Sequence, residues 1–371
     1  MAEDAEEVKA ERNPNVKPHQ KKRIEQQSLW HFYPRHTALP VALTLIIVTV
    51  FCIPAGVSTL VYSNKVLEVD LRYDQINAYV YRSGEAGLYP YSFDFNGSTY
   101  STGVTTTVRF NLSKSAAAPV YLQYRLKKFY QNYRWFGASL DEAQNNGADT
   151  TMASKCNPFR YPGEVSDNQQ PGYYNPCGAL AWAMFNDSIS LYNSKGVLIC
   201  DGTQFTANGT NLTSDNQCHK SGIALNSATT KSFMPAVPST KVTGPMWTGD
   251  GGTESTDPFY TAGYYFEEPG HKIPITTDED FIVWEKMAYL ADFSNMYRII
   301  DVDLPAGEYT LNITENFNVN AFSGEKHVRL VTRTWIGGRN HILGILLVVL
   351  GCVSFVIFVA VLVTGCVMNR I

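Results

Sequence analysis

The sequence predicts an integral membrane protein in which two transmembrane α-helices flank a large, mainly β extracytoplasmic domain. Two long apolar runs without charged residues lie near the two ends of the 371-residue chain. Four of the seven cysteines lie between these runs. Several segments of the same region alternate apolar and polar residues, as strands with one buried face do. Together these observations predict two spans around one disulfide-bonded outer domain.

The first apolar run, residues 38–62, is long enough to cross a bilayer, which takes about 20 residues. It begins too far from Met1 and is too long for a removable signal peptide, so we interpret it as an uncleaved anchor. The preceding tail, residues 1–37, is polar and charged. Because basic residues favour the cytoplasmic side, the tail is predicted to be cytoplasmic. Its basic residues include Lys17, Lys21, Lys22, Arg23 and Arg35.

The second apolar run defines a span within residues 339–368. A helix of about 27 uncharged residues covers about 40 Å, which exceeds the roughly 30 Å of a bilayer's hydrocarbon core. Two spans place residues 63–338 outside the cytosol and return residues 369–371 to it. The basic residues before the second span favour the opposite orientation, but the first helix usually decides. These residues are Arg329, Arg333 and Arg339.

Small residues in the spans allow two interpretations. Glycines at 344, 351 and 365 suit a close helix neighbour, but glycine is also common in membrane helices generally. The cysteines in the spans are interpreted as small apolar residues. They are Cys52, Cys352 and Cys366.

The outer domain contains an even number of cysteines, which in an oxidising compartment indicates disulfides. These are Cys156, Cys177, Cys200 and Cys218. Of the three possible pairings we prefer the two that close short local loops, 156 with 177 and 200 with 218, although sequence leaves the connectivity open. A zinc site is disfavoured because no pair has Cys-x-x-Cys spacing.

Six Asn-x-Ser/Thr sequons also lie in this region, as expected for a glycosylated outer domain. They begin at Asn96, Asn111, Asn186, Asn208, Asn211 and Asn312. Because the region is rich in Asn, Ser and Thr, some sequons arise by chance. Two of them are so close together that we do not expect both to be modified in every molecule.

Alternating apolar residues predict strands over residues 65–81, 105–112 and 120–126. The polar segment 127–134 is predicted to turn into a helix through Leu140, with its charges on a solvated face or a binding face. A further helix is predicted over residues 277–292, with Thr277 as cap and an apolar face made of Phe281, Trp284, Ala288 and Ala291. Residues 304–309 are predicted to turn between two strands.

Residues 141–274 contain long stretches rich in Gly, Pro, Asn and Ser. This composition predicts elaborated loops held by disulfides rather than a second compact core. No phosphate-binding loop, His-Glu-x-x-His motif or Gly-x-Ser-x-Gly motif is present in the sequence. The net charge of −4 gives no basic footprint for nucleic acid. We therefore predict a non-catalytic protein without a cofactor or a bound metal.

Several stretches, in chain order, resemble the Cdc50/Lem3 family, which comprises the non-catalytic beta subunits of the type IV P-type ATPases, the lipid flippases. They include Phe-Tyr-Gln-Asn-Tyr-Arg at 129–134, Asn-Pro-Cys-Gly at 175–178, Phe-Asn-Asp at 185–187 and Phe-Ile-Val-Trp at 281–284. The resemblance continues with Leu-Pro-Ala-Gly-Glu-Tyr at 304–309, Asn-Phe-Asn-Val at 316–319, Phe-Ser-Gly-Glu-Lys at 322–326 and Trp-Ile-Gly-Gly-Arg-Asn at 335–340. A further stretch, Gln-Gln-Ser-Leu at 26–29, precedes the first span. The order of these stretches, with both spans in place, makes the resemblance specific.

The resemblance implies an outer domain with an antiparallel β-sandwich, disulfide-tied loop extensions and a few short helices. It also implies pairing of Cys177 with Cys156. The implied partner is the catalytic subunit of a type IV P-type ATPase, bound as a heterodimer that moves phospholipid to the cytosolic leaflet. Such a subunit accompanies the ATPase out of the endoplasmic reticulum to Golgi, endosomal and plasma membranes. Animal members have extra cysteines early in the outer domain, which residues 66–103 lack.

We expect the partner interface to include Trp30 and Phe32 before the first span and Trp335, Gly337, Gly338 and Asn340 before the second. For the first pair, the competing interpretation is an ordinary aromatic belt at the membrane surface. Two other classes of function fit the same topology. One is a two-span, homo-oligomeric channel subunit, which the lack of polar pore-lining residues disfavours. The other is a surface receptor or adhesion glycoprotein.

Overall fold

A computed structural model describes residues 38–74, 91–95, 98–102, 104–150, 154–157, 159–161, 172–242, 244–249, 273–317, 319 and 322–368. These residues form two compact units. One contains residues 38–57 and 343–368, and the other contains residues 58–342. The predicted interface residues Trp30 and Phe32 and the sequon residue Asn96 lie outside the described residues.

The first unit is a pair of long apolar helices. Helix α1 spans Ala38–Lys65 and helix α7 spans His341–Met368, and each is long and apolar enough to cross a membrane. The helices pack through glycine. A Cβ added to Gly351 would lie 2.5 Å from the Ile53 side chain, and the Thr49 hydroxyl donates to the Gly351 carbonyl at 3.3 Å. Gly351 therefore permits close contact between the two helices of this chain.

The second unit contains a five-stranded antiparallel sheet. Its strands, in spatial order, are β1 (Glu68–Arg72), β13 (Glu325–Val331), β5 (Val120–Lys127), β11 (Phe293–Ile300) and β9 (Cys218–His219). A second antiparallel sheet has the order β4 (Val104–Leu112), β12 (Gly307–Glu315), β7 (Ser188–Asn193) and β8 (Leu198–Asp201). The inner faces of these two sheets share one hydrophobic core.

Alternation of side chains explains how the strands build this core. On β5 the side chains of Val120, Leu122 and Leu126 are fully buried, because residues two apart point to the same face. On β12, Leu311 and Ile313 are fully buried by the same rule. Burial of one such side chain contributes about 1.5–3 kcal/mol. The predicted strands at 105–112 and 120–126 are confirmed. The predicted turn at 304–309 is shorter than expected, because β12 already begins at Gly307.

The remaining elements are short. Strands β2 (Tyr91–Phe95) and β3 (Ser98–Thr102) form a hairpin, and β6 (Tyr173–Tyr174) pairs in parallel with β10 (Met246–Trp247). The helices are α2 (Arg134–Ala138), α3 (Glu142–Asn145), α4 (Ala179–Trp182), α5 (Asn226–Lys231) and α6 (Glu279–Glu285), with a 3-10 turn at Ser154–Cys156. The predicted fold class, two apolar helices flanking a mainly β domain with two disulfides, is confirmed.

Three further sequence expectations about local structure require correction. The helix predicted over 277–292 ends at Glu285 and is capped by Asp278, whose side chain accepts from the Asp280 N–H at 2.8 Å. The chain leaves this helix because the buried Gln131 side chain accepts the Ala288 N–H at 2.8 Å. The helix predicted through Leu140 is present but shorter, because α2 covers only Arg134–Ala138.

The third correction concerns residues 141–274, which are not only loops. Strand β7 pairs with β12 over six residues, and β8 pairs with β7. Both strands belong to the four-stranded sheet, and Ile189 and Leu191 of β7 are fully buried in the shared core. The alternation in Ser-Ile-Ser-Leu-Tyr-Asn at 188–193 carries this signal, which the surrounding polar composition obscures.

Candidate functional site

The predicted interface residues that the structure describes form an exposed turn before α7. The Thr334 N–H donates to the Gly337 carbonyl at 2.9 Å, and the Gly337 N–H donates back to the Thr334 carbonyl at 2.8 Å. Gly337 has a φ of +112°, which favours glycine. The Trp335 side chain is 77% exposed. A Cβ added to Gly338 would meet no atom within 4 Å. Trp335 and Gly338 are therefore accessible to a partner.

The turn is held against the last residues of α1. The Trp335 ring meets the Tyr62 ring edge-on, with centroids 5.5 Å apart. The Lys65 ammonium group lies 5.0 Å from the centroid of the same tyrosine. The Asn340 N–H donates to the Ser63 hydroxyl at 2.9 Å. These contacts bring three of the predicted residues together and fix the orientation of the tryptophan.

A shallow cleft of about 540 Å³ lies next to this turn. It contains two carboxylates from β1, those of Glu68 and Asp70, and the guanidinium group of Arg339. Arg339 Nε donates to His341 Nε2 at 2.8 Å. Both carboxylates are already paired, Glu68 with Arg329 and Asp70 with Arg125. The cleft therefore has a polar lining whose negative charges are balanced within the sheet.

At the other end of β13, a buried ionic cluster joins the two sheets. The Lys326 ammonium group lies 2.7 Å from Asp187 Oδ2 and 3.0 Å from Glu315 Oε2, and all three side chains are fully buried. It also donates to the Phe317 carbonyl at 2.8 Å. The Tyr73 hydroxyl donates to Asp187 Oδ2 at 2.6 Å. Sequence reasoning missed this cluster, although its residues lie in or beside the motifs at 185–187, 316–319 and 322–326.

The electrostatics of this cluster are those of a structural centre rather than a reactive one. Burial raises the pKa of Glu315, and the positive charge of Lys326 opposes that shift. The Thr106 hydroxyl donates to Glu315 Oε1, and Asp187 Oδ1 accepts the Phe317 N–H at 2.6 Å. Because these carboxylates already accept hydrogen bonds and have no exposed surface, they hold strands together and do not face a substrate.

An aromatic cluster lies beside the ionic cluster. The Phe129 ring is within 5.7 Å, centroid to centroid, of Phe136, Trp284, Phe317 and Phe322. Trp284 is fully buried, and its Nε1–H donates to the Leu180 carbonyl at 2.9 Å. Four of the motif stretches therefore meet in one place in the fold.

A family sequence model matches the part of the chain that contains the ionic cluster, the aromatic cluster and the second apolar helix. The sequence model of the LEM3 (ligand-effect modulator 3) family / CDC50 family matches residues 59–371. The chain belongs to the LEM3/CDC50 family. The resemblance predicted from the motifs is thus confirmed.

Named relatives align over most of this LEM3/CDC50 chain. "Cell cycle control protein 50A" of Mus musculus is 31% identical over 349 residues, which is 92% of this chain and 87% of the relative. The protein of the same name from Bos taurus is 30% identical with the same coverage. "Putative ALA-interacting subunit 2" of Arabidopsis thaliana is 30% identical over 340 residues, 90% of this chain and 84% of the relative.

Both disulfides of this LEM3/CDC50 chain lie outside the buried ionic cluster. Cys156 bonds to Cys177 and Cys200 bonds to Cys218, the pairing that the short loops favoured. Around Cys177, the chain is fixed by Gln144, which accepts the Cys177 N–H at 2.8 Å and donates to the Tyr174 carbonyl at 2.9 Å. Gly178 has a φ of +107°, and a Cβ there would lie 2.1 Å from the Ser139 carbonyl oxygen.

The sequon residues of the described chain lie on the four-stranded sheet or on nearby loops. Asn312 is on the outer face of β12, where its Oδ1 accepts the Thr107 hydroxyl at 3.1 Å. The other described sequon residues are exposed; they are Asn111, Asn186, Asn208 and Asn211. Among the described residues, no group of three or more His, Cys, Asp or Glu side chains is arranged to hold a metal ion.

Proposed function

We propose that this chain is the non-catalytic accessory subunit of a phospholipid-flipping P-type ATPase. Family membership over residues 59–371, including the β domain and the second apolar helix, is the observation that carries the proposal. The Arabidopsis relative is named as an ALA-interacting subunit, which identifies that relative as a binding protein. The resemblance in the motif stretches assigns the partner as a type IV P-type ATPase catalytic subunit.

In this proposal, α1 and α7 span the membrane and the β domain lies outside the cytosol. Residues 1–37 and 369–371 are cytoplasmic, and the sequons are glycosylation sites. The subunit supports folding of the ATPase, its exit from the endoplasmic reticulum and its reaction cycle in Golgi, endosomal or plasma membranes. Binding supports that cycle only if it favours one conformation of the ATPase over another.

A pull-down of the tagged full chain in mild detergent tests this proposal. We expect a P-type ATPase at near-equal stoichiometry by mass spectrometry, and ATP hydrolysis by the complex that phospholipid stimulates. A symmetric oligomer of this chain alone would contradict the proposal and favour the channel subunit instead.

The exposed turn allows a sharper test. Trp335→Ala removes a ring that is 77% exposed, so we expect little effect on folding and a severalfold loss of co-purified ATPase. Leu212→Ala, at a side chain that is 60% exposed, is the matched control and should leave association unchanged. Equal ATPase recovery with both variants would exclude Trp335 from the interface.

A further inference from the structure

A second exposed surface lies at the end of the five-stranded sheet opposite the Trp335 turn. Six large apolar side chains from two segments, residues 130–135 and 287–290, define this aromatic surface. Their exposed fractions are Tyr289 91%, Trp135 77%, Leu290 71%, Tyr130 63%, Tyr133 61% and Met287 39%. Monomeric domains seldom expose so many large apolar groups together, so the surface indicates an interaction site.

The register of the sheet gives its position. On β13, Val331 pairs with Tyr121 of β5 at the end near the Trp335 turn, and Glu325 pairs with Lys127 at the other end. The aromatic surface follows directly after Lys127. Seven paired residues at about 3.4 Å each separate the two ends by about 20 Å. The aromatic surface is therefore distinct from the turn.

The two segments are held rigidly, which makes their exposure a fixed feature of the fold. The fully buried Gln131 accepts the Ala288 N–H at 2.8 Å. Asn132 Nδ2 donates to the Tyr289 carbonyl at 2.9 Å, and the Phe129 N–H donates to the Ala291 carbonyl at 3.1 Å. Because the backbone is already ordered, a partner would bind without the entropic cost of ordering these segments.

Charge indicates the chemistry of the partner. Arg134 lies in the first segment, and Lys128 and Lys286 lie next to the two segments. Among the described residues, no carboxylate forms an ion pair with these three cations, although the Asp292 carboxylate accepts the Lys128 backbone N–H at 3.3 Å. Tryptophan, tyrosine, methionine and arginine are enriched at protein interfaces, and tryptophan, tyrosine and arginine at their energetic centres. No described sequon lies in either segment, so carbohydrate attached at those sites would not start within this surface.

We propose that the aromatic surface binds an extracytoplasmic segment of the ATPase subunit that carries acidic residues beside apolar ones. The acidic side chains pair with the three cations, and the apolar side chains cover the exposed rings. This inference rests on the proposed function and adds a second attachment point, about 20 Å from the Trp335 turn. Electrostatic complementarity of this kind makes association sensitive to salt.

Photo-crosslinking in the assembled complex tests the contact directly. A photoreactive phenylalanine analogue replaces Trp135 in the full chain, which is co-expressed with the ATPase and irradiated before detergent extraction. We expect a crosslink to an extracytoplasmic segment of the ATPase subunit, with none from the control position Leu212. A crosslink to a second copy of this chain, or to lipid alone, would overturn the proposal.

Charge reversal provides the second measurement. Arg134→Glu combined with Lys286→Glu is expected to lower ATPase recovery at least fivefold in low salt, with a smaller loss in high salt. The control Lys195→Glu reverses an exposed charge in the turn between β7 and β8 and should have no effect. If the unmodified chain recovers the ATPase and the double variant recovers it equally, this inference fails while the proposed function stands. If the unmodified chain recovers no ATPase, the proposed function fails.

Discussion

The β domain contains two groups of ion pairs that have the same chemistry and opposite surroundings. In the buried ionic cluster, Lys326 and its two carboxylates have no exposed surface. On the outer face of the five-stranded sheet, Lys127 lies 2.8 Å from Glu325, and these side chains keep 26% and 20% of their surface exposed. Water solvates the second pair and screens its attraction, whereas it cannot reach the first.

From this difference we expect burial, rather than distance, to decide how much an ion pair contributes to the stability of this domain. A buried charge that loses its partner keeps its full desolvation penalty, whereas an exposed charge is resolvated. Glu285 is an informative third case, because it is largely buried and no described cation pairs with it. Burial raises the pKa of Glu285 to about 7. Three predictions test this ranking.

The largest effect is expected for Lys326→Met, which keeps the aliphatic stem and removes the ammonium group. Two buried carboxylates then lack a cation, so we expect the free energy of unfolding to fall by about 3–5 kcal/mol. Tryptophan fluorescence during denaturation of the detergent-solubilised full chain measures this loss. Adding Asp187→Asn and Glu315→Gln to the same variant removes the uncompensated charge and should recover part of the stability. A loss below about 1 kcal/mol in the single variant would contradict the ranking.

Glu285→Gln is expected to have an intermediate, pH-dependent effect of the opposite sign. The folded pKa of about 7 lies above the ordinary value of 4.5, so the folded state binds more protons between these values and loses stability as pH rises through them. Glutamine has no such penalty, and it can donate to Asn145 Oδ1, which lacks a hydrogen-bond partner. We expect stabilisation by about 3 kcal/mol at pH 8 and about 1 kcal/mol at pH 5.

The same denaturation measurement at the two pH values tests this expectation. Glu308→Gln, at an exposed carboxylate on β12, is the control and should change stability equally at both pH values. A gain from Glu285→Gln that does not depend on pH would show that Glu285 is ionised in the folded protein.

The smallest effect is expected for Lys127→Met. The pKa of Glu325 is lowered to about 2, first by the Lys127 hydrogen bond and then by His327, but water surrounds the pair. We expect a loss of about 0.2–1 kcal/mol at pH 7 and low salt, with none in 1 M salt. Because the pKa of Glu325 is lowered, this contribution is present above pH 4.5 and disappears as pH falls toward 2. If Lys127→Met lowered the free energy of unfolding as much as Lys326→Met, the buried and the exposed ion pairs would not differ in their contribution to stability.

The sequence predicted the parts of the fold that depend on local periodicity. Alternation at 120–126 predicted β5, and uncharged length predicted both apolar helices. Local periodicity did not predict the end of the helix at 277–292, because the contact beyond α6 comes from Gln131, which is 157 residues before Ala288. Of the candidate site, the motif at 335–340 supplied the expected interface residues but not their turn. The charges of 127–134 allowed a binding face, but the exposed aromatic side chains beside them were not predicted. The exposure of Tyr289 depends on which parts of the folded chain pack near it, and this cannot be read from the sequence.

By itself, the sequence determined the family, the two apolar helices and the presence of a disulfide-bonded β domain, because hydrophobic length, period-two alternation and cysteine number are properties of neighbouring residues. Only the tertiary structure decided that Asp187, Glu315 and Lys326 meet. Glu315 lies on β12 and Lys326 on β13, in different sheets, and Asp187 directly precedes β7. The free energy of a charge depends on its burial and its partners. Strand order and sheet packing determine the burial and the partners of each charge. The contribution of these charges to stability is therefore decided only in the folded chain.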